Sequence, residues 1–507
     1  MSGGRNSGAG RGAVAAGHRL TVQAAAEVLR DGGNAFDAAI AALWMACVCE
    51  PVLASPGGGG FMMARPAGGK SQLFDFFVHT PLAKPAVEDV EFRAIHADFG
   101  PATQQFHIGA GAAAAPGFVP GLFAVHAALA SRPMARLCEM AVEAAKGGIE
   151  VSPFQARLFQ IVRPILTGEA SARALFAPGG DLLGAGARLR NGGLADAIEA
   201  IGREGPRIAS EGEIAAAMLA AGGSGSVLRR DDLAGYEVIV RQPLVWESGA
   251  RRLFLNPPPS CGGALIGNMV ARGEAAMRAG GGALPRAADI AAFILECDRA
   301  WRASGRDISR FLGAGNAAES GGLASRGTTH VSVIDGAGNA AAATVSNGEG
   351  NGHVVPGCGF MLNNMLGEED INPDGFYAWR PGARLASMMA PSLLVGDDGA
   401  VAALGSGGSN RIRTALFQTV MRLLAGEPDL EAAVSAPRIH CERDSIDFED
   451  LLAGEEERQG LLEAAGEVRP WADRNMFFGG VHIACRDGKG GLAAAGDPRR
   501  AGEAVVI

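Results

Sequence analysis

The sequence contains no CxxC pair and no Cys/His cluster with metal-ligand spacing. Its eight cysteines, Cys47, Cys49, Cys138, Cys261, Cys297, Cys358, Cys441 and Cys485, are scattered. That pattern excludes a zinc-finger type of site and a disulfide framework, and it suits small core residues in a reducing compartment. No long basic run offsets the net charge of −9, which argues against a general nucleic-acid binder. The opening "MSGGRNSGAGRGAVAAGHRL" lacks the apolar centre of a signal peptide, and the uncharged apolar stretch Ala38 to Cys49 is too short to cross a bilayer. A cytoplasmic protein is expected, with neither nucleic acid nor membrane among its partners.

What is present is ordinary globular material, 48% hydrophobic and 20% charged over 507 residues, enough for a large core. The 75 glycines show no collagen-like period and often fall in pairs behind helical stretches. "TVQAAAEVLRDGG" sets Val22, Ala25, Ala26 and Leu29 on one helical face, with Gly32 and Gly33 at its end. "NAFDAAIAALWMACVCE" is apolar all round and reads as a helix buried between layers; "MARLCEMAVEAAKGG" and "EGEIAAAMLAAGG" are further helices. "GFMMAR", "SQLFDFF", "RRLFLN" and "LLVGDDGAVAALGS" read as strands. Strands and helices alternate in blocks, which favours a layered α/β or α+β architecture. The stretch from Leu166 to Arg207 is the least patterned and reads as surface loops or a mobile segment. No repeat is present, and no linker divides the chain.

The glycine-rich motifs divide unequally. "SPGGGGF" has neither the spacing nor the terminal lysine of a phosphate loop, so close backbone packing is the better reading. "NPPPSCGG" reads as a rigid loop. "GSGGSNR", Gly405 to Arg411, ends a strand and opens a helix at "IRTALFQTVMRLL"; it is either an oxyanion-binding turn or a plain connection. Spacing yields no Ser-His-Asp set. In "RGTTHVSVIDGAGNAAAATVSNGEG", alternation from Val331 to Asp335 predicts a half-buried strand, "DGAGN" a turn, and "AAAATVS" the returning strand. His330 is a candidate base, though a histidine there is more often a hydrogen-bonded neighbour.

Taken in order, "GHRLTVQAAAEVLRDGGNAFDAAIAA", "GGGGFMM", "AAPGFVPGLFA", "LNPPPSCGGA", "GTTHVSVIDGAGNAAA", "GFMLNN", "MMAPSLL" and "GSGGSNR" resemble the γ-glutamyltransferase family over nearly the whole chain. The resemblance implies an α+β fold, the four-layer αββα sandwich of N-terminal-nucleophile hydrolases. It also implies self-cleavage between Gly327 and Thr328, giving a large segment, 1–327, and a small one, 328–507, that together form one unit. Thr328 would then carry both the nucleophilic hydroxyl and a free α-amine, whose pKa of roughly 7.7–8.0 suits it to act as base. Further roles implied are a hydroxyl from Ser346 on the nucleophile, a supporting hydroxyl from Thr329, and an oxyanion hole at Gly407 and Gly408. "GSGGSNR" in place of the family's "GSPGGSR" leaves that last register open by one residue. Asn347 matches a family asparagine near the substrate carboxylate if one residue is deleted. The chemistry needs no cofactor and no metal, and its partner is a small-molecule amide or peptide. Two subunits from one precursor are expected, with pairing of such units left open.

Departures from the family pattern concern the acyl group. Phe77 stands where the family's arginine grips the glutamyl carboxylate, and Met365 where a Gln or Glu helps hold the amine. Glu368 or a neighbour is left for that amine. Of the serine pair that binds the carboxylate, Ser387 is kept and the second is Met388. Phenylalanine replaces none of a bidentate arginine contact, so the pocket is expected to be apolar. The reading is a self-processing threonine amidohydrolase or acyltransferase, related to glutathione hydrolases. Its alternatives are an apolar-acyl amidase resembling cephalosporin acylases, or an uncut ligand-binding relative.

Overall fold

The computed structural model describes residues 10–98, 103–313, 327–368, 372, 375–451, 454–463 and 466–507. Local sequence signals set the first helices. Asn34 accepts from the amides of Phe36 and Asp37 while Asp37 accepts from the Asn34 amide, a reciprocal cap at the start of Ala35–Cys49. All fifteen residues of that helix are buried, as a sequence apolar at every position but Asp37 requires, and Asp37 is satisfied by the cap and by Ser131 and Arg132. Gly32, at φ +78°, turns the chain out of the preceding helix, Arg19–Arg30.

Two antiparallel sheets form the middle of the molecule. The first has seven strands in the order Glu503–Val506, Gly12–Ala16, Thr328–Asp335, Ala340–Ser346, Gly59–Arg65, Gln72–Phe76, Ile239–Arg241. The second has six: Leu492–Ala495, Gly480–Arg486, Val401–Gly407, Ser392–Gly396, Arg251–Leu255, Leu244–Ser248. Helices Arg19–Arg30, Ala35–Cys49, Phe118–Leu129 and Met134–Gly147 cover one face of the first sheet through Val14, Met62, Phe74, Val331 and Val333. The sheets pack on each other through the opposite set, Ala13, Phe61, Met63, Ile334 and Ala342, and helices Gly262–Ala279, Ala287–Ala303 and Arg411–Leu424 close the far side. The result is helix, sheet, sheet, helix.

This layering explains a difference from the alternation. Thr328–Asp335 is buried along all eight residues, not half-buried, because helices cover one face and the second sheet the other. Its returning strand, Ala340–Ser346, pairs in register, with Thr328 opposite Ser346. Leu166 to Arg207 corrects the loop reading. It contains helices Ala170–Phe176 and Gly192–Glu204, the second burying Leu194, Ala197, Ile198 and Ile201. That spacing is helical, and the surrounding glycines masked it.

Strands from both sides of the Gly327–Thr328 bond interleave. Gly12–Ala16 lies between Thr328–Asp335 and Glu503–Val506, and Arg251–Leu255 pairs with Ser392–Gly396. The C-terminal end is tied down by a buried ion network. Arg499 and Glu449 are both fully buried, with Arg499 Nε 2.7 Å from Glu449 Oε1; Arg499 also meets Asp497, which binds Arg438. Replacing Glu449 by Leu leaves Arg499 short of a partner where water cannot reach. We expect a loss of about 3–5 kcal/mol, measured by urea unfolding. Among the described residues no helix is long and apolar enough to cross a membrane.

Candidate active site

Thr328 opens a central strand of the first sheet and is 1% exposed. Side chains alternate along a strand, so Thr328 and Thr329 face opposite ways. Thr328 shares its face with His330 and Ser332 towards the second sheet. Thr329 points to the helices, where its hydroxyl donates to Glu50 Oε1 at 2.9 Å. Its support therefore runs to Glu50, on the far side of the sheet from the Thr328 side chain.

Across the register from Thr328, the Ser346 hydroxyl donates to the Gly327 carbonyl at 2.7 Å and accepts from the Gly348 amide at 3.1 Å. A hydrogen-bond donor thus rests on the carbonyl of the Gly327–Thr328 bond itself. Gly327 has no room for a side chain, since a Cβ there would lie 1.5 Å from the Gly348 carbonyl oxygen.

The second sheet brings the glycine pair. Gly407 ends its strand so close to Thr328 that a Cβ would lie 2.2 Å from the Thr328 carbonyl oxygen. Gly408, at φ +122°, turns the chain at the pocket wall, and Ser409 follows at φ +54°. Arg500 adds charge here, its Nη1 lying 3.4 Å from the Thr328 oxygen. Burial lowers the Arg500 pKa to about 10. Gly407→Ala would push a methyl into the Thr328 carbonyl; we expect a fall in turnover of about 10²-fold or more, read as kcat on any amide the protein cleaves.

His330 is placed as a packed neighbour. The Ser332 hydroxyl donates to the His482 carbonyl at 3.1 Å, so at 2.9 Å it accepts from His330 Nε2; Nδ1 is left to accept from the Thr344 hydroxyl at 2.7 Å. Both ring nitrogens are engaged, and burial holds the imidazole well below its ordinary pKa and neutral. It is not positioned to relay protons for Thr328.

Phe77, Met365 and Met388 are each 0% exposed and lie in one packed core between the sheets and the outer helices. Phe77 stacks on Phe61 at 5.5 Å, beyond Gly59 in the row Thr328, Ser346, Gly59. At roughly 4.8 Å per strand it is about 14 Å from Thr328 along the sheet. Ser387 holds a turn, accepting from the Met389 amide at 3.1 Å. Asn347 and Glu368, both 1% exposed, lie in a buried polar patch with Glu349 and Asn364 around Gly348; a Cβ on Gly348 would sit 2.6 Å from Glu368 Oε1. The three apolar positions therefore fill a packed core, and the cavity beside Gly327 is lined by other residues.

The cavity at Gly327 opens elsewhere. Its walls are Val52, Leu53, Leu158, Ile161 and Val162 on one side and Met476 and Phe477 on another, with Glu349, Gly408, Arg411 and Arg500 at its polar end. Arg411 stacks its guanidinium 4.1 Å above the Phe477 ring. Apart from Gly408 and Arg411 in "GSGGSNR", these wall residues did not stand out in the sequence, because they come from six separate stretches. For metals, Glu91, Glu169 and His353 are the donor group with suitable spacing among the described residues, but Arg93 is 3.6 Å from Glu91 and 2.6 Å from Glu169 and balances their charge.

The helix–sheet–sheet–helix order defines the class: this is the αββα sandwich of N-terminal-nucleophile hydrolases. It superposes on the cephalosporin acylase of Bacillus halodurans with a TM-score of 0.79, covering 100% of this chain and 97% of that one at 23% identity. The chain belongs to the γ-glutamyltranspeptidase family, whose model matches residues 21–275 and 310–507. It is 29% identical to the acylase ACY 1 proenzyme of Pseudomonas sp. (strain SE83), over 98% of this chain and 94% of that protein. The glutathione hydrolase proenzyme of Pseudomonas aeruginosa is 28% identical with the same two coverages. The relatives include acylases and glutathione hydrolases, and the chain is an enzyme of this hydrolase and transferase family.

Proposed function

We propose that the protein is a self-processing amide hydrolase or acyltransferase with Thr328 as its nucleophile. The observation that carries this reading is the Ser346 hydroxyl on the Gly327 carbonyl, 2.7 Å away, at the bond next to a buried threonine. Attack by the Thr328 hydroxyl on that carbonyl forms a C–O bond and breaks the Gly327–Thr328 C–N bond, the hydroxyl proton passing to the nitrogen. Water then hydrolyses the ester, releasing the Gly327 carboxylate and restoring the hydroxyl beside a free α-amine. The two segments stay together because their strands interleave in both sheets. We read the small-segment amine as the base for turnover, and the Gly407–Gly408 turn as the site where a tetrahedral oxyanion is held. The acyl group passes from the amide to Thr328 and on to water or an acceptor amine.

For the acyl group, the absence of a polar partner at Phe77, Met365 and Met388, which are buried in the core, leaves no glutamyl contact at those positions and favours an amide with an apolar body over γ-glutamyl. The walls supplied by Val52, Leu158, Ile161 and Met476 support the same choice. The test of self-processing is intact mass with time. Wild type is expected to become two fragments meeting at Gly327/Thr328, and Ser346→Ala to cut at least about 10-fold more slowly, as loss of one carbonyl donor implies. Wild type that stays whole on prolonged incubation would sink the reading in favour of an uncut binding protein.

A further inference from the structure

One buried acid near the nucleophile has no part in the steps above. Glu50 follows the fully buried helix Ala35–Cys49 and is 1% exposed. Its Oε1 accepts from the Thr329 hydroxyl at 2.9 Å and its Oε2 from the Thr21 hydroxyl at 3.2 Å. Two residues further on, the Val52 carbonyl oxygen lies 3.0 Å from where a Cβ on Gly327 would be, so this turn runs directly beside the bond to be cut. From the other side Arg500 reaches the Thr328 carbonyl and acts electrostatically on Glu50.

We infer that Glu50 is a positioning residue which, through Thr329 and against Arg500, sets the pH at which the Thr328 α-amine becomes the free base. This rests on the reading of Thr328 as an N-terminal nucleophile. A nearby carboxylate favours the ammonium form and a nearby guanidinium the neutral amine, so the two residues pull in opposite directions. Burial raises the Glu50 carboxyl to about 7, so it changes charge close to the pH range in which a terminal amine titrates.

Other groups at this end are accounted for. His482 and His18 are each lowered to about 4 by burial and are neutral here, and the Cys49 thiol is pushed up by burial and stays protonated. Asp497 is committed to Arg438 and Arg499. Glu349 and Arg411 face the cavity. The cation that acts on Glu50 is Arg500.

The test titrates the amine directly. Processed wild type, Glu50→Gln and Arg500→Gln are pulsed with formaldehyde and cyanoborohydride from about pH 5.5 to 9, and methylation of the Thr328 amine is read by mass. Gln keeps the acceptor for Thr329 and removes the charge, while its NH2 replaces the oxygen that accepts from Thr21. The midpoint is expected to fall by about 0.5–1 pH unit in Glu50→Gln and to rise in Arg500→Gln. A merely structural Glu50 would lower thermal stability and leave the midpoint unchanged. Midpoints within about 0.2 unit of wild type, or shifts of the same sign in both variants, overturn the inference. If Glu50→Gln does not fold, Arg500→Gln alone decides, an unmoved midpoint overturning it. An uncut wild type overturns both this and the underlying reading, and intact mass reveals it before any labelling.

Discussion

Thr328→Ala is expected to give a single uncut chain of 507 residues and to reduce amide turnover by at least about 10⁴-fold. Both effects follow from one atom. In the proposed mechanism the hydroxyl attacks the Gly327 carbonyl during processing and the substrate carbonyl during turnover, and alanine has no hydroxyl for either step. Thr328→Ser separates the roles: it keeps the oxygen and the amine, so cutting and turnover should both persist at reduced rates. Packing is no obstacle to reading the result. Thr328 begins its strand, and losing one small buried side chain costs little against a core of this size. A Thr328→Ala chain that still cuts at Gly327 would assign the chemistry to another group, with Ser346 the next hydroxyl in reach of that carbonyl.

A γ-glutamyl anilide is expected to be a poor substrate, with kcat/KM about 10³-fold below that of an anilide with an unbranched apolar acyl group of similar length. A free α-carboxylate left without its bidentate arginine in an apolar setting costs several kcal/mol, and each 1.4 kcal/mol is a factor of ten. Restoring the arginine alone should not help. Phe77 is fully buried against Phe61, so Phe77→Arg places an unpaired cation in the core and should destabilise the fold by about 3–5 kcal/mol. Met365 and Met388, packed in the same core, would still leave the amine and carboxylate of a glutamyl group without partners. Steady-state kinetics on the two anilides, with thermal unfolding of the variant, checks both halves. Near-equal kcat/KM for the two substrates would show that the glutamyl group binds outside this core.

The residues that act through local chemistry were legible in order. The glycine stop at Gly32 and Gly33, the turn after Asp335 and the glycines of "GSGGSNR" carry short-range signals, because backbone conformation depends on immediate neighbours. Thr328 and Ser346 were marked by the family resemblance, and the hairpin register sets them opposite each other. The opposite directions of Thr328 and Thr329 are a consequence of strand geometry that the hairpin already contained. Phe77, Met365 and Met388 were marked in the sequence by their departure from polar residues, but whether they line a pocket or fill it depends on packing.

What sequence alone determined about this protein is therefore the family and the hairpin, and it also supplied the proposed cut-site dipeptide and the departures from the family's glutamyl contacts. Each is carried by residue identity or by spacing within one segment. The tertiary structure decided the rest. It brought Gly407 from the second sheet to the Thr328 carbonyl, Arg500 from the C-terminal end to the same oxygen, and Glu50 to the far side of Thr329. It also covered both faces of a strand that alternation predicts to be half-buried, and made helices of 170–176 and 192–204. The physical reason is the same in each case. Contacts between segments far apart in the chain, Glu50 with Thr329 at a separation of 279 residues or Thr328 with Arg500 at 172, depend on how amphipathic layers stack, and no local pattern encodes which distant residue a layer will bring near.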